Sequence, residues 1–256
     1  MAWTDILKAV IQNGLARTGY TIKSIKSMEG HLMANVEPIT RLFAKVEHFA
    51  VSPEGKRSKL LASLTATSIV EALFILKYLY TAMEVEGDIC EFGVAAGATS
   101  ALLANEIRST SRHIWLFDSF AGLPEPTESD QIVNTRDWIG AMCFPRFVVE
   151  KRLREIGFPQ DRVHIVAGFF PQSAKRNAPD RVCFAYVDFD LYRPIRDALE
   201  FVDQRMSKGG TIVVDDYGHS LFPGVRKAVD DFVLGADFDI LIPECGAGAV
   251  LNKRSS

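Results

Sequence analysis

Short apolar segments alternate with segments of helical length from Gly87 onward, and this alternation constrains the fold of the chain more than any other feature. The apolar segments are rich in β-branched and aromatic residues, as buried strands are. Five of them are each followed by enough chain for a helix: residues 88–92, 113–117, 163–166, 183–187 and 211–214. This order predicts an α/β fold in which a parallel sheet is flanked by helices.

The last two apolar segments, residues 238–242 and 249–251, are connected differently. The six residues between them include Pro243, Gly246 and Gly248, and are too few for a helical crossover. We therefore expect these two strands to form an antiparallel hairpin at the edge of an otherwise parallel sheet.

Residues 1–83 have a different pattern, in which apolar residues recur at helical spacing. We divide the chain into an N-terminal helical extension, residues 1–83, and an α/β domain, residues 84–256. The amphipathic segment 3–15 is expected to dock on the core, where the extension would act as a lid. The alternatives are association with a second copy, which would give a homo-oligomer, and contact with a membrane surface. The most apolar run, residues 69–83, is too short to span a bilayer.

Composition narrows the classes of partner and the cellular compartment. The formal net charge of the 256 residues is -3, and no block of Lys or Arg forms a basic stripe, so nucleic acid is not expected as a partner. The four cysteines are far apart and form no C-x-x-C motif, which is typical of reduced thiols in the cytoplasm. The first residues do not resemble a secretory signal. We expect a cytoplasmic protein that acts on a small molecule.

A turn containing two glycines follows the first predicted strand, in the sequence Glu91-Phe92-Gly93-Val94-Ala95-Ala96-Gly97. Such a turn lets a ligand approach the N-terminus of the next helix. Ala95 stands where a dinucleotide-binding turn has glycine, and the charge of Glu91 disfavours a pyrophosphate. S-adenosylmethionine carries no phosphate; its cationic groups suit Glu91, and Thr99 with the helix N-terminus suits its carboxylate.

Two further strand ends complete the predicted cofactor site. Asp118, which ends the second strand and is followed by Ser119, is placed to accept hydrogen bonds from the ribose hydroxyls. Gly168 and Phe169 follow the third strand, where the adenine ring would lie. Asp118 could instead cap a helix, and Gly168 and Phe169 could be a turn glycine and a core aromatic residue. Taken together, the three strand ends favour a site for S-adenosylmethionine.

Four carboxylates follow two other apolar strands: Asp188 and Asp190 after one, Asp215 and Asp216 after the other. The carboxyl ends of parallel strands line one crevice, so these acids can converge on a hard cation. We predict that Asp188, Asp215 and Asp216 bind magnesium, and that Asp190 accepts a proton from a substrate hydroxyl. The alternative is that these aspartates cap the helices that follow the strands. The metal site is also disfavoured if the strand continues straight, because Asp215 and Asp216 would then point to opposite sides.

Five segments together resemble the macrocin O-methyltransferase family: Glu91-Phe92-Gly93-Val94 with Gly97, residues 117–124, 166–170, 187–192 and 214–218. Members of that family are metal-dependent and S-adenosylmethionine-dependent enzymes that methylate sugar hydroxyls of natural products. The resemblance covers roughly residues 85 to 252. It implies the seven-stranded, Rossmann-like class I methyltransferase fold, magnesium on the residues matching Asp188, Asp215 and Asp216, and a general base at Asp190.

The sequence therefore predicts a magnesium-dependent O-methyltransferase for a small polyhydroxylated acceptor, with a sugar of a natural product as the favoured substrate. A catechol-type aromatic O-methyltransferase would use the same chemistry on two adjacent oxygens. An NAD-dependent oxidoreductase is disfavoured by Ala95 and Glu91. A non-catalytic cofactor-binding protein, in which the acids only stabilise loops, is the remaining alternative.

Overall fold

The structure is a computed structural model that describes residues 56–64, 67–132, 135–243 and 248–255. The predicted helical segment 3–15 lies outside the described residues. The sheet consists of β1 (Asp88–Phe92), β2 (Ile114–Asp118), β3 (Val163–Ala167), β4 (Val182–Val187), β5 (Met206–Val214), β6 (Phe238–Leu241) and β7 (Ala249–Lys253). The main helices are α1 (Lys56–Ala62), α2 (Ile69–Ala82), α3 (Ala98–Ile107), α4 (Arg146–Glu155), α5 (Tyr192–Asp203) and α6 (Pro223–Val233).

The strands form one seven-stranded sheet in the order β3-β2-β1-β4-β5-β7-β6. The first five strands of this order pair in parallel, whereas β7 is antiparallel to both β5 and β6. The predicted α/β class, the parallel sheet and the antiparallel edge hairpin are thus confirmed. Because the chain order reverses between β1 and β4, a crevice is expected at the carboxyl ends of these two strands.

Both faces of the central strands are buried, which explains their continuous apolar sequences. One face packs against α1, α2, α3 and α4, where the fully buried residues include Leu76, Leu103 and Leu153. The other face packs against α5 and α6 through residues such as Leu199 and Val225. The sheet is therefore the middle layer of three, and the loops at its carboxyl edge are held by packing on both sides.

The helix α2 begins with a capping box, in which Ser68 and Glu71 each bind the other's backbone N–H group. Seven of its residues are buried, so its apolar character comes from packing against the sheet. Within the described residues, no helix combines the length and the apolar character needed to cross a lipid bilayer.

The strand β5 begins five residues earlier than the sequence pattern predicts, at Met206 rather than Thr211. The sequence Ser207-Lys208-Gly209-Gly210 interrupts the apolar pattern and is typical of a turn. In the structure, a Cβ atom on Gly210 would lie 2.8 Å from the carbonyl oxygen of Cys183. Glycine is thus needed here because two strands approach closely at a register shift, which a local sequence pattern does not reveal.

Candidate active site

A cavity of about 600 Å³ lies at the carboxyl ends of β1, β2, β4 and β5. Its volume is typical of a site for a small molecule. Eight of the predicted site residues line it: Gly93, Asp118, Ser119, Phe169, Asp188, Asp190, Asp215 and Asp216. Four others do not border it: Glu91, Gly97, Thr99 and Gly168. The fold therefore brings the two predicted halves of the site, the glycine turn and the strand-end acids, to one cavity.

The turn after β1 lies directly against the end of β4. Gly93 has a φ of +87°, and a Cβ atom at this position would lie 1.8 Å from the carbonyl oxygen of Asp188. The turn ends at Gly97, which precedes α3 and lies against Val149 of α4. These close contacts explain why both positions are glycine, since a side chain would crowd its neighbours. The backbone of the turn remains open to the cavity.

Asp118 binds the backbone of this turn. Its Oδ2 atom accepts hydrogen bonds from the N–H groups of Val94 at 2.8 Å and Ala95 at 3.0 Å, and its Oδ1 atom accepts one from Phe120 at 2.6 Å. The carboxylate thus joins the ends of β1 and β2. An ionised carboxylate has about four lone-pair sites, so these three bonds leave capacity for a further donor from the cavity.

The turn after β3 is attached to the same region, because the N–H group of Gly168 donates to the carbonyl oxygen of Asp118 at 2.9 Å. Phe169, the next residue, is half exposed and lines the cavity. Phe169 and Gly168 are the residues predicted to contact the adenine ring. Phe169 lines the cavity, whereas Gly168 does not and instead closes the turn through its N–H group.

Thr99 is buried in the first turn of α3 and reaches the cavity only through another residue. Its Oγ1 atom lies 3.3 Å from Oγ1 of Thr67, and Thr67 lines the cavity. Sequence reasoning missed Thr67, since it belongs to the loop before α2 and not to a strand end. No local motif signals that position.

Glu91 is buried in β1, with 1% of its surface exposed, and its Oε2 atom has no hydrogen-bond partner. Burial raises the pKa of Glu91 to about 8, and the negative charge of Asp118 adds to the effect. At neutral pH the side chain is therefore mostly protonated. In this state it offers no full negative charge to a cationic group in the cavity.

Replacing Glu91 by glutamine is expected to make the stability of the protein less dependent on pH. A raised folded-state pKa stabilises the protein at low pH, and this contribution is lost as the pH rises from about 4 toward about 8. Over this window the wild type should lose about 1.4 kcal/mol per pH unit relative to Glu91→Gln. Urea unfolding of both proteins between pH 5 and 8, without ligands, measures the difference.

The exposed Glu155, which pairs with Lys151 on the surface of α4, provides the matched control. Glu155→Gln should unfold in parallel with the wild type at every pH. Parallel curves for Glu91→Gln as well would show that Glu91 ionises normally in the folded protein.

Three of the four strand-end aspartates form a cluster. One carboxylate oxygen from each of Asp188, Asp190 and Asp216 lies within 4.8 Å of the others. Asp215 has a different partner, since its Oδ2 atom accepts a hydrogen bond of 2.7 Å from the hydroxyl of Tyr186. All four border the same cavity, but the cluster contains Asp190, which is predicted as the base, and does not contain Asp215, which is predicted as a ligand.

Two of these aspartates have left-handed backbone conformations. The φ angle is 59° at Asp190 and 56° at Asp216. Aspartate is one of the few residues other than glycine that tolerate this region, and such residues are enriched at functional sites. The turn at Asp216 redirects the chain after β5, so Asp215 and Asp216 both border the cavity instead of pointing to opposite sides of a straight strand.

Burial and neighbouring carboxylates raise the pKa values of Asp188, Asp190 and Asp216. The pKa of Asp215 is raised by burial, and its hydrogen bond from Tyr186 opposes that rise. Burial is the largest cause at each residue: the pKa of Asp188 lies well above its usual range, that of Asp190 rises to about 8 and that of Asp216 to about 6. The negative charge of Asp118 also contributes to the raised pKa of Asp190. No Lys or Arg of the described residues forms an ion pair with these four acids. A partly buried all-oxygen donor set that has no ion pair to Lys or Arg fits a hard divalent cation such as Mg²⁺.

The rest of the cavity lining combines apolar and polar side chains. Leu123, Met142, Phe170 and Phe222 supply apolar surface, while Glu125, Gln172 and Arg193 are among the polar groups. Arg193 pairs with Asp197, which also lines the cavity. Leu123 and Phe170 belong to segments that carry the family resemblance, whereas the others lie outside those segments, in loops or in the first half of α5.

Comparison with known proteins shows which family this chain resembles. Residues 75–240, which are more than half of the chain, match the family model of macrocin-O-methyltransferase (TylF). The chain belongs to the macrocin O-methyltransferase family. The match contains every predicted site residue, and it confirms the resemblance that the strand-end segments indicate.

Two curated O-methyltransferases are similar to part of this chain. The 8-demethyl-8-(2,3-dimethoxy-alpha-L-rhamnosyl)-tetracenomycin-C 4'-O-methyltransferase of Streptomyces olivaceus is 30% identical over 155 residues, which cover 58% of each chain. The mycinamicin III 3''-O-methyltransferase of Micromonospora griseorubida is 29% identical over 159 residues, 58% of this chain and 61% of the relative. The chain thus matches about three fifths of the length of these relatives.

Solved structures with the same fold include two methyltransferases. The O-methyltransferase NovP superposes with a TM-score of 0.66 at 22% identity, over 74% of this chain and 82% of its own. The calicheamicin methyltransferase CalS11 superposes with a TM-score of 0.63 at 22% identity, over 92% of this chain and 95% of its own. At this identity the likeness confirms the Rossmann-like methyltransferase fold.

Proposed function

We propose that this protein is a magnesium-dependent O-methyltransferase that transfers a methyl group from S-adenosylmethionine to a hydroxyl of a small polyhydroxylated acceptor. The observation that carries the proposal is the shared cavity: a partly buried carboxylate cluster faces the same space as the glycine turn after β1. Methyl transfer requires a donor and an activated oxygen to be held close together. A single cavity with both kinds of binding surface meets that requirement.

The cofactor is assigned to the edge of the cavity formed by the ends of β1, β2 and β3. When bound, S-adenosylmethionine supplies the methyl group on an activated leaving group. The proposed binding residues are Glu91, Gly93, Gly97, Thr99, Asp118, Ser119, Gly168 and Phe169. Asp118 fixes the turn and keeps capacity for a ribose hydroxyl, while Phe169 presents a ring to the cavity. Glu91 and Gly97 do not line the cavity and would support this edge from within the protein. Membership of a methyltransferase family favours S-adenosylmethionine over NAD.

We assign the cation to Asp188, Asp215 and Asp216, and the base to Asp190. When bound, a divalent cation at these residues supplies positive charge that makes an acceptor hydroxyl more acidic. Asp190 accepts the hydroxyl proton at its carboxylate. The position of Asp190, within 4.8 Å of the oxygens of Asp188 and Asp216 and within electrostatic reach of Asp118, supports a role between the cation site and the cofactor site.

A sugar of a natural product is the proposed acceptor. The two curated relatives are named as methyltransferases of a rhamnosyl-bearing tetracenomycin and of mycinamicin III. The mixed apolar and polar wall of the cavity supports an acceptor that carries hydroxyl groups on an apolar scaffold. We also propose that the N-terminal extension, residues 1–83, which packs on the sheet through α1 and α2, serves either as a lid or as an element that pairs copies of the chain, and that the protein works in the cytoplasm.

The proposal is tested by incubating the full-length protein with S-adenosylmethionine, Mg²⁺ and panels of glycosides and catechols. We expect a methylated sugar hydroxyl and one S-adenosylhomocysteine per transfer, with activity lost on addition of a chelator. Turnover of catechols but not glycosides would indicate the aromatic class of substrate. Calorimetry that detects NADH binding and no binding of S-adenosylmethionine would indicate an oxidoreductase instead.

A further inference from the structure

Tyr186 is the penultimate residue of β4, in register with Glu91 of β1 and Val213 of β5. It is 1% exposed and is among the largest fully buried side chains of the described residues. Its ring belongs to the core beneath α2, with Ile75 and Leu79 in the same cluster. The ring therefore fills space that a phenylalanine would fill equally well, and the hydroxyl group is the feature that needs an explanation.

The hydroxyl of Tyr186 reaches the carboxyl end of the sheet and contacts two aspartates. It donates a hydrogen bond of 2.7 Å to Oδ2 of Asp215, and it lies 3.4 Å from Oδ2 of Asp188. A phenol has one proton to donate, so the shorter bond to Asp215 is the principal one. Both aspartates are ligands in the proposed cation site.

A buried hydroxyl costs free energy unless it has a partner, and here the partners are two carboxylates. Groups that hydrogen-bond to a metal ligand fix its orientation, and their removal typically weakens metal binding about 10-fold to 100-fold. The hydroxyl of Tyr186 has this relation to Asp215.

We propose that Tyr186 is a positioning residue of the cation site, whose hydroxyl holds the carboxylate of Asp215, and secondarily that of Asp188, in the orientation that binds one divalent cation. This inference rests on the proposed function, because it requires a cation among these aspartates. Tyr186 itself contacts no substrate. Its effect passes through the two carboxylates.

The experiment compares Tyr186→Phe with Tyr192→Phe in the full-length protein. Tyr192 is the matched control, since its hydroxyl also binds an aspartate, Asp231, at 2.9 Å, but on the surface of the protein. Calorimetric titrations with Mg²⁺ and Mn²⁺ give the cation Kd, and methyl transfer is measured over a range of cation concentrations. Tyr186→Phe should raise the cation Kd about 10-fold to 100-fold. At saturating cation it should recover kcat to within about threefold, with an unchanged Kd for S-adenosylmethionine, whereas Tyr192→Phe should match the wild type.

A double variant tests whether the effect passes through Asp215. If it does, adding Tyr186→Phe to Asp215→Asn should weaken cation binding by much less than it does in the wild type. Full additivity of the two changes would contradict the proposed route. Thermal unfolding of each variant shows whether the core has been disturbed.

The wild-type protein supplies a second measurement that does not depend on the folding of any variant. Cation binding at Asp215 should change the ultraviolet absorbance of the bonded phenol, and Tyr192→Phe should retain this difference spectrum. A cation Kd for Tyr186→Phe within twofold of the wild type, or no tyrosine signal on binding, would overturn the inference and leave the proposed function intact. A wild-type protein that binds neither cation would overturn both.

Discussion

Replacing Asp188 by asparagine is expected to reduce methyl transfer by about three orders of magnitude, equivalent to about 4 kcal/mol of transition-state stabilisation. Asp188 contributes an oxygen to the three-carboxylate cluster and also lies beside Tyr186. Loss of its charge removes one of the ligands that would hold the cation, and the acceptor hydroxyl then keeps its ordinary, high pKa. Calorimetry with Mg²⁺ and steady-state kinetics on the same preparation measure the two losses together.

The Asp190→Asn variant tests whether Asp190 is the proton acceptor or a ligand of the cation. If Asp190 accepts the proton, this variant should lose transfer about 100-fold to 1,000-fold while its cation Kd stays within a few-fold of the wild type. A loss of cation binding as large as that of Asp188→Asn would instead make Asp190 a ligand, in keeping with its place in the cluster. Asp231→Asn, on the exposed face of α6, is the control and should change neither quantity.

Replacing Gly93 by alanine is expected to destabilise the fold by at least about 3 kcal/mol and to abolish binding of S-adenosylmethionine. The φ of +87° costs an alanine roughly 1–3 kcal/mol. The added Cβ atom would also lie 1.8 Å from the carbonyl oxygen of Asp188, so the ends of β1 and β4 must move apart. Urea unfolding and a titration with S-adenosylhomocysteine measure the two effects.

Gly157→Ala is the matched control for this change. Gly157 has a similar φ of +72°, but no atom lies within 4 Å of the position that its Cβ would take. It should therefore lose only about 1 to 2 kcal/mol from backbone strain and keep full cofactor affinity. Equal losses in the two variants would show that the close approach of Gly93 to Asp188 has no energetic consequence.

The strands could be predicted from the sequence because each is a local apolar pattern. Six of the seven agree with the prediction to within two residues at each end, and the antiparallel hairpin follows from the short connection between β6 and β7. The exception, β5, starts at a close approach between strands that involves Gly210 and Cys183, which are far apart in the sequence. Helices within residues 1–55 remain predictions.

The sequence by itself determined the fold class, the family and the set of acids at the strand ends, because parallel strands bring their carboxyl ends to one edge. Only the tertiary structure decided which of those acids lie close together and which has another partner. It grouped Asp190 with Asp188 and Asp216, and it joined Asp215 to the hydroxyl of Tyr186. The reason is physical: left-handed turns at Asp190 and Asp216 set the direction of each side chain, and the partner of Asp215 comes from a neighbouring strand. A sequence pattern records which residues end a strand, but not which way the chain turns after it.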